Sequence, residues 1–212
     1  MSTGSVAADP LRGLVEAIVT GEDACALGIL EASPQLAKTR AGEGAIRQSP
    51  TQYFFDQIRH YFYAGDSALH MAAAACQWRV VEKLIALGAD ISARNRRGAE
   101  PLHYAVDIGL DLPLWNAETQ SRIIATLIRS GADPNALDKS GVAPLHRAIR
   151  NRNANAVRAL IAGGADPQAP NGKGSTPLLL ATHNTGKSGS GSAQAKAQQE
   201  EILCILAEYH AA

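Results

Sequence analysis

Histidines are the residues of this sequence most able to do chemistry, and they occur at His60, His70, His103, His146, His183 and His210. Imidazole can bind a metal ion or transfer a proton at neutral pH. Three of them, His70, His103 and His146, each follow a leucine, at spacings of 33 and 43 residues. Stacked helical units would separate these three side chains by about 10 Å, which is too far for one metal ion. We therefore expect structural histidines and no metal site.

A glycine-rich segment offers two further motifs. Gly186-Lys187-Ser188 matches the end of a phosphate-binding loop, but that motif needs a glycine five residues earlier, where the sequence has Ala181. Gly189-Ser190-Gly191 resembles a nucleophile elbow but follows no strand that could position it. The composition is instead typical of a flexible linker. We expect no catalytic residue, no cofactor and no enzymatic activity.

The three cysteines, Cys25, Cys76 and Cys204, are far apart and form no Cys-x-x-Cys pair. Neither a zinc site nor a disulfide framework is indicated, so we expect buried thiols in the reducing cytoplasm. Residues 1–10 lack the basic and apolar regions of a signal peptide. No apolar run approaches the roughly 18 residues that span a bilayer. The formal net charge of zero argues against a nucleic-acid partner.

An internal repeat is the strongest signal in the sequence. A short motif with a central leucine recurs at Leu69, Leu102, Leu145 and Leu178, with spacings of 33, 43 and 33 residues. The triplet Gly-Ala-Asp begins at Gly88, Gly131 and Gly164, with spacings of 43 and 33 residues. Two independent landmarks therefore share one period of 33 residues and one insertion of ten.

The segments Pro101-Leu102-His103 and Pro144-Leu145-His146 match the last three residues of the Thr-Pro-Leu-His signature of a known repeat, whereas Glu100 and Ala143 depart from its threonine. On these residues the chain resembles the ankyrin-repeat family, and particularly the stand-alone ankyrin proteins common in bacteria. The resemblance implies an all-α solenoid of helix-turn-helix units joined by hairpin-like loops. It also implies that each Leu-His histidine bonds the backbone of the neighbouring repeat, and that the chain binds another protein.

The repeat divides a single domain, 1–212, into successive units with atypical ends. The expected segments are an N-terminal cap at 11–34, an aromatic-rich insertion at 35–63, repeats at 64–96, 97–137 and 138–170, and a last repeat at 171–212 that contains a flexible insertion at 186–199. Within the last insertion, a helical run is expected from Ala195 to Glu201.

The aromatic-rich insertion holds six of the eight Phe and Tyr residues of the chain. We expect its stretch from Tyr53 to Phe62 to be helical. Two interpretations remain open for the aromatic side chains. They fill the gap between the cap and the first repeat, or they form a platform that exposes binding hot spots.

The binding surface is placed by the resemblance on the hairpin tips and first helices, which line a concave groove in the ankyrin fold. Between Asp138 and Lys187 the chain has seven basic and two acidic residues, which form either an ordinary solvated face or a docking surface for a partner with an acidic segment. The candidate partner-binding residues are Tyr63, Asp66, Arg96, Arg97, Tyr104, Asp107, Ile108, Trp115, Lys139, Val142, Arg150, Asn151, Lys173 and His183. The sequence thus predicts a protein-interaction module. The alternative is an inhibitor or immunity-type protein that neutralises a partner enzyme or toxin.

Overall fold

The structure, a computed structural model, describes residues 9–46, 51–109, 111–182 and 192–210. The α-helices in this part of the chain are α1 (Pro10–Val19), α2 (Asp23–Ala32), α3 (Ala68–Ala74), α4 (Trp78–Ala86), α5 (Pro101–Tyr104), α6 (Ala117–Arg129), α7 (Pro144–Arg150), α8 (Ala154–Ala162), α9 (Pro177–Thr182) and α10 (Ala193–His210). Short 3-10 helices span Pro34–Lys38 and Thr51–Tyr53.

The helices form two layers. The first helices, α1, α3, α5, α7 and α9, pack in one row, and the second helices, α2, α4, α6, α8 and α10, pack in another. An apolar stripe at helical spacing explains the contact between the layers: Val80, Val81 and Leu84 of α4 are fully buried. The predicted all-α repeat solenoid is confirmed.

The repeated histidines bond backbone groups through both ring nitrogens. In each of His70, His103 and His146, Nδ1 accepts a hydrogen bond from the backbone N–H three residues earlier, at 3.1–3.2 Å. The proton must therefore be on Nε2, which donates to a backbone carbonyl oxygen at 3.0–3.2 Å. For His70 and His103 this carbonyl belongs to the following unit, at Ala99 and Val142, whereas for His146 it is Ala169, near the end of the same unit. Burial lowers the pKa of each, that of His103 to about 4, so all three are neutral at pH 7. The expected bond to the neighbouring repeat is confirmed for His70 and His103, while His146 bonds the backbone within its own unit.

Hairpin loops join successive units and share one turn chemistry. Asn95, Asp138 and Asn171 each use their side-chain oxygen to accept hydrogen bonds from the N–H groups two and four residues later. Single backbone hydrogen bonds then connect neighbouring hairpins: Lys139 N–H donates to Arg97 at 2.9 Å, and Gly172 N–H donates to Gly141 at 2.7 Å.

The aromatic insertion does not form the expected helix between Tyr53 and Phe62. It folds into a two-stranded antiparallel hairpin, β1 (Phe54–Phe55) and β2 (His60–Tyr61). The turn between the strands contains Arg59 at φ 48°, a left-handed conformation that a continuous helix would not allow. Phe62 and Ile58 are buried, whereas Tyr61 is 36% exposed. The insertion therefore contributes both to the core and to the surface.

Two other expectations need correction. Cys76 is buried, but Cys25 and Cys204 are exposed, because they lie on outward faces of α2 and α10. The expected flexible insertion at 186–199 is helical from Ala193 onward, as part of α10; its residues 186–191 lie outside the described part of the chain. Among the described residues, no helix combines the length and hydropathy needed to cross a bilayer.

Candidate functional site

A cavity of about 340 Å³ opens where the aromatic insertion faces the hairpin loops and first helices of the units that follow it. The insertion contributes Arg59, His60, Tyr61 and Tyr63, and the unit 64–96 contributes Asn95 at its end. The unit 97–137 contributes Arg97, Ala99, Tyr104 and Asp107, and the unit 138–170 contributes Asp138, Ser140, Val142, Arg147, Arg150 and Asn151. The cavity volume is within the range of small-molecule pockets and suits one large side chain. The repeat alone does not build it, since one wall comes from the insertion.

Asp66 organises the floor of the cavity from below. Its fully buried carboxylate accepts hydrogen bonds from the Tyr63 N–H at 2.6 Å, the Asn95 side-chain amide at 2.8 Å and the Tyr104 hydroxyl at 2.9 Å. Burial and the charge of Asp66 raise the pKa of Tyr104 well above its usual value, so the hydroxyl stays protonated and donates. These bonds fix the insertion, the Asn95 hairpin and α5 relative to one another.

Arg147 is half-buried and is paired twice. Its guanidinium donates to Asp107 at 2.5 Å and to Asp138 at 2.7 Å. Burial raises the pKa of Asp107, but Arg147 and a contact with His60 outweigh burial and bring it to about 2. Burial also opposes ionisation of Asp138, whose pKa is nevertheless lowered by Arg147 and two backbone N–H groups. Both carboxylates are therefore ionised at pH 7, and the positive charge of Arg147 is fully compensated.

The other three arginines of the cavity differ in their partners. Arg59 is paired with the exposed Asp111 at 2.7 Å. Arg97 lies 5.2 Å from the centre of the Tyr63 ring and donates to its hydroxyl at 3.0 Å. Arg150 is exposed, and neither it nor Arg97 forms an ion pair within the described residues. Two guanidinium groups with uncompensated charge thus face the cavity from different units.

Matches to family models identify the type of repeat in this stack. One described as ankyrin repeats (3 copies) matches residues 115–211, and one described as ankyrin repeats (many copies) matches residues 63–113. The chain belongs to the ankyrin-repeat family. The predicted resemblance is therefore confirmed, and ankyrin repeats are generally modules that bind other proteins. No curated protein sequence matches this ankyrin-repeat chain.

Seven of the predicted binding residues line the cavity of this ankyrin stack: Tyr63, Arg97, Tyr104, Asp107, Val142, Arg150 and Asn151. Arg96, Lys139 and Lys173 are exposed on the hairpins but do not line it. The side chain of Arg96 lies 5.6 Å from the Tyr63 ring centre, next to the cavity entrance. The structure therefore brings together the residues of the middle units and leaves Lys173 apart.

Three of the predicted residues are not exposed. Asp66 is fully buried by the hydrogen bonds described above. Tyr104 is only 1% exposed because His60 of the insertion stacks against it at 4.3 Å, and it contributes to the floor. Ile108 is 1% exposed because α5 ends at Tyr104, so the chain turns and Ile108 joins the core. The prediction that Asp66 and Ile108 are surface contacts is wrong.

Two predicted residues are elsewhere. Trp115 is half-buried in the loop between α5 and α6, where its indole N–H donates to Gln120 at 2.9 Å, and it does not line the cavity. His183 lies outside the described residues. Within the described part of the chain, no group of three His, Cys, Asp or Glu side chains is arranged to hold a metal ion.

Sequence reasoning missed Arg59, His60 and Arg147. The sequence contained an indication for Arg147, since the equivalent positions of the other repeats are Met71, Tyr104 and Leu180. A charged residue at a position that is otherwise apolar or aromatic requires a buried partner. Arg59 and His60 carried no such signal, because they belong to an insertion with no counterpart in the repeat.

Proposed function

We propose that this ankyrin-repeat chain is a non-catalytic module that binds a partner protein on the face formed by its hairpins and first helices. The observation that carries the proposal is the cavity on this face, into which Arg97 and Arg150 project uncompensated charge. Arg96, Lys139 and Lys173 extend the basic surface along the hairpins. The three unpaired cysteines favour a reducing compartment, and we propose a cytoplasmic location.

The charge on this face supports a partner with an acidic contact surface. Exposed ion pairs each contribute under about 1 kcal/mol, so they steer the approach more than they determine the affinity. Buried contacts must supply the rest, and the cavity with its Tyr61 and Tyr63 rings offers them. The proposed mechanism is electrostatic steering onto the hairpins, followed by insertion of a partner side chain into the cavity.

Site-specific photo-crosslinking in the native cell tests which face is used. A benzophenone amino acid replaces Ser140 or Lys173 on the hairpins, or Arg79 or Arg129 on the second helices. All four positions are exposed, so the substitutions are matched for folding. We expect the same partner to be crosslinked from the hairpin positions and not from the helix positions. Equal crosslinking from both faces would contradict the proposal.

Charge reversal tests the same surface independently. Replacement of Arg97, Lys139 and Arg150 by Glu should abolish capture of the crosslinked partner without lowering the Tm, because all three side chains are exposed. The control variant reverses Arg79, Arg129 and Arg158, one on each of three second helices, and so changes the net charge equally. Loss of capture in both variants would indicate a non-specific charge effect.

The inhibitor or immunity-type alternative uses the same surface with a different outcome. The two interpretations can be distinguished once the partner has been identified. An activity of the partner that disappears at saturating amounts of this chain would establish inhibition, whereas an unchanged activity would favour a scaffold.

A further inference from the structure

We infer that the cavity is a recognition site for one glutamate side chain, presented by an extended segment of the partner and bound between Arg97 and Arg150. This inference rests on the proposed function and specifies the chemistry of the contact. Three observations support it: the charge of the lining residues, the rigid placement of Arg97, and the aromatic wall beside it.

The charge of the cavity matches a single carboxylate. Of the four arginines that line it, Arg59 pairs with Asp111 and Arg147 pairs with Asp107 and Asp138. The buried carboxylate of Asp66 beneath the floor already accepts three hydrogen bonds. Arg97 and Arg150 are left without an ion pair among the described residues, and one carboxylate between them would supply the opposite charge that both lack. A phosphate monoester would bring between one and two negative charges close to the ionised Asp107 and Asp138, which disfavours it.

Arg97 is held in place before any ligand arrives. Its backbone N–H donates to Asn95 at 2.8 Å, and its carbonyl accepts from Lys139 N–H at 2.9 Å. Its guanidinium is positioned by the Tyr63 hydroxyl and ring, and Tyr63 is itself bonded to the buried Asp66. A guanidinium that is already ordered loses little side-chain entropy when it forms a two-point contact with a carboxylate.

The second arginine approaches from another unit. Arg150 is the last residue of α7, and the neighbouring Asn151 donates its side-chain amide to the Val106 carbonyl at 3.0 Å. This bond ties the end of α7 to the preceding unit. A carboxylate in the cavity would therefore meet one guanidinium from the Asn95 hairpin and one from α7.

The walls explain why a glutamate fits better than a free anion. The centres of the Tyr61 and Tyr63 rings, both of which line the cavity, lie 6.0 Å apart, and Tyr61 is partly exposed. Aromatic faces contact methylene groups favourably, and glutamate has two of them between its backbone and its carboxylate. The length of that stem lets the carboxylate reach past the tyrosines while the partner backbone stays outside.

Peptide pools provide the test, with the intact chain labelled with ¹⁵N at arginine. Acetylated and amidated heptapeptides carry a fixed central Glu, Gln or phosphotyrosine and randomised neutral residues elsewhere. We expect the Glu pool to shift the Nε–Hε signals of Arg97 and Arg150 saturably, with affinity at least about tenfold above the Gln pool. Equal binding of the Glu and Gln pools, or tighter binding of the phosphotyrosine pool, would overturn the inference.

Variants locate the effect. Arg97→Gln and Arg150→Gln should each weaken the Glu pool by about tenfold, whereas Arg79→Gln on α4 should change nothing. Tyr63→Phe keeps the ring but removes the hydroxyl, so it should weaken the Glu pool about threefold and leave the Gln pool unaffected. An Arg79→Gln effect as large as that of Arg97→Gln would also overturn the inference. If crosslinking maps a partner to this face but the pools do not discriminate, the glutamate site fails while the proposed function stands.

Discussion

The hairpins at Asn95 and at Asn171 share their turn chemistry but differ in what lies behind them. In both, the asparagine oxygen accepts from two N–H groups of its own turn. Asn95 is buried and also donates to Asp66 and Tyr104, whereas the side chain of Asn171 bonds only within its turn in the described part of the chain. The repeated residues therefore specify the hairpin turn. Residues that are not repeated make one of these hairpins part of a site.

Removing the acceptor behind the Asn95 hairpin should have the largest effect. Asp66→Ala removes the shared acceptor of the Tyr63 N–H, the Asn95 amide and the Tyr104 hydroxyl, and we expect a loss of about 3–4 kcal/mol in the free energy of unfolding. Asn171→Ala, whose donors can bond to water, should cost about 1 kcal/mol. Urea denaturation of both variants measures the difference. Equal losses would mean that the buried network adds nothing to the shared turn.

The dependence of stability on acid pH should also differ between units, because Arg147 carries an ion pair and the equivalent residue of the last repeat is Leu180. The pKa of Asp107 is about 2 in the folded state and near 3.8 when unfolded. The stabilisation is therefore complete above pH 4 and is lost as the pH falls through 2, by about 2 kcal/mol. In Arg147→Leu this part of the acid sensitivity should disappear. Urea unfolding at pH 6, 4 and 2.5 tests it, and an unchanged pH dependence would contradict the pairing.

The hairpin glycines should show the smallest difference. Gly98 and Gly174 have φ values of 74° and 78°, so alanine is strained at both. A Cβ on Gly98 would lie 2.9 Å from the Lys139 backbone nitrogen, whereas one on Gly174 meets nothing within 4 Å. Thermal unfolding should therefore show that Gly98→Ala costs about 1 kcal/mol more than Gly174→Ala. A larger loss for Gly174→Ala than for Gly98→Ala would contradict the closer backbone contact at Gly98.

The repeat explains how much of the fold could be predicted. Leucine and Gly-Ala-Asp landmarks determined which segments are first and second helices, because close packing of identical units leaves little freedom. The segment from Tyr53 to Phe62 was predicted wrongly because a short aromatic run has no periodicity that separates a helix from a hairpin. The hairpin instead makes contacts with distant segments, such as that of His60 with Tyr104 and the backbone bond from Ala45 to Phe62, which local sequence does not reveal.

The candidate site was predicted in part for the same reason. Arg97, Arg150 and Asn151 were found because the repeat register places hairpin tips and helix ends on one face. Asp66 and Ile108 were misplaced because the register gives the position of a residue in its own unit, while its exposure depends on neighbouring insertions and on where α5 ends. The ion pairs of Arg147 join residues far apart in the sequence and need the folded stack.

The single backbone bonds between neighbouring hairpins have a mechanical consequence. A chain pulled from its two ends would strain the bond from Lys139 to Arg97 and the bond from Gly172 to Gly141 in series, so the stack should yield unit by unit at its weakest contact. The cavity is lined by the insertion and by parts of the three units that follow it. A partner side chain bound there would contact several units at once. The force needed to separate these units should therefore be higher when the partner is bound.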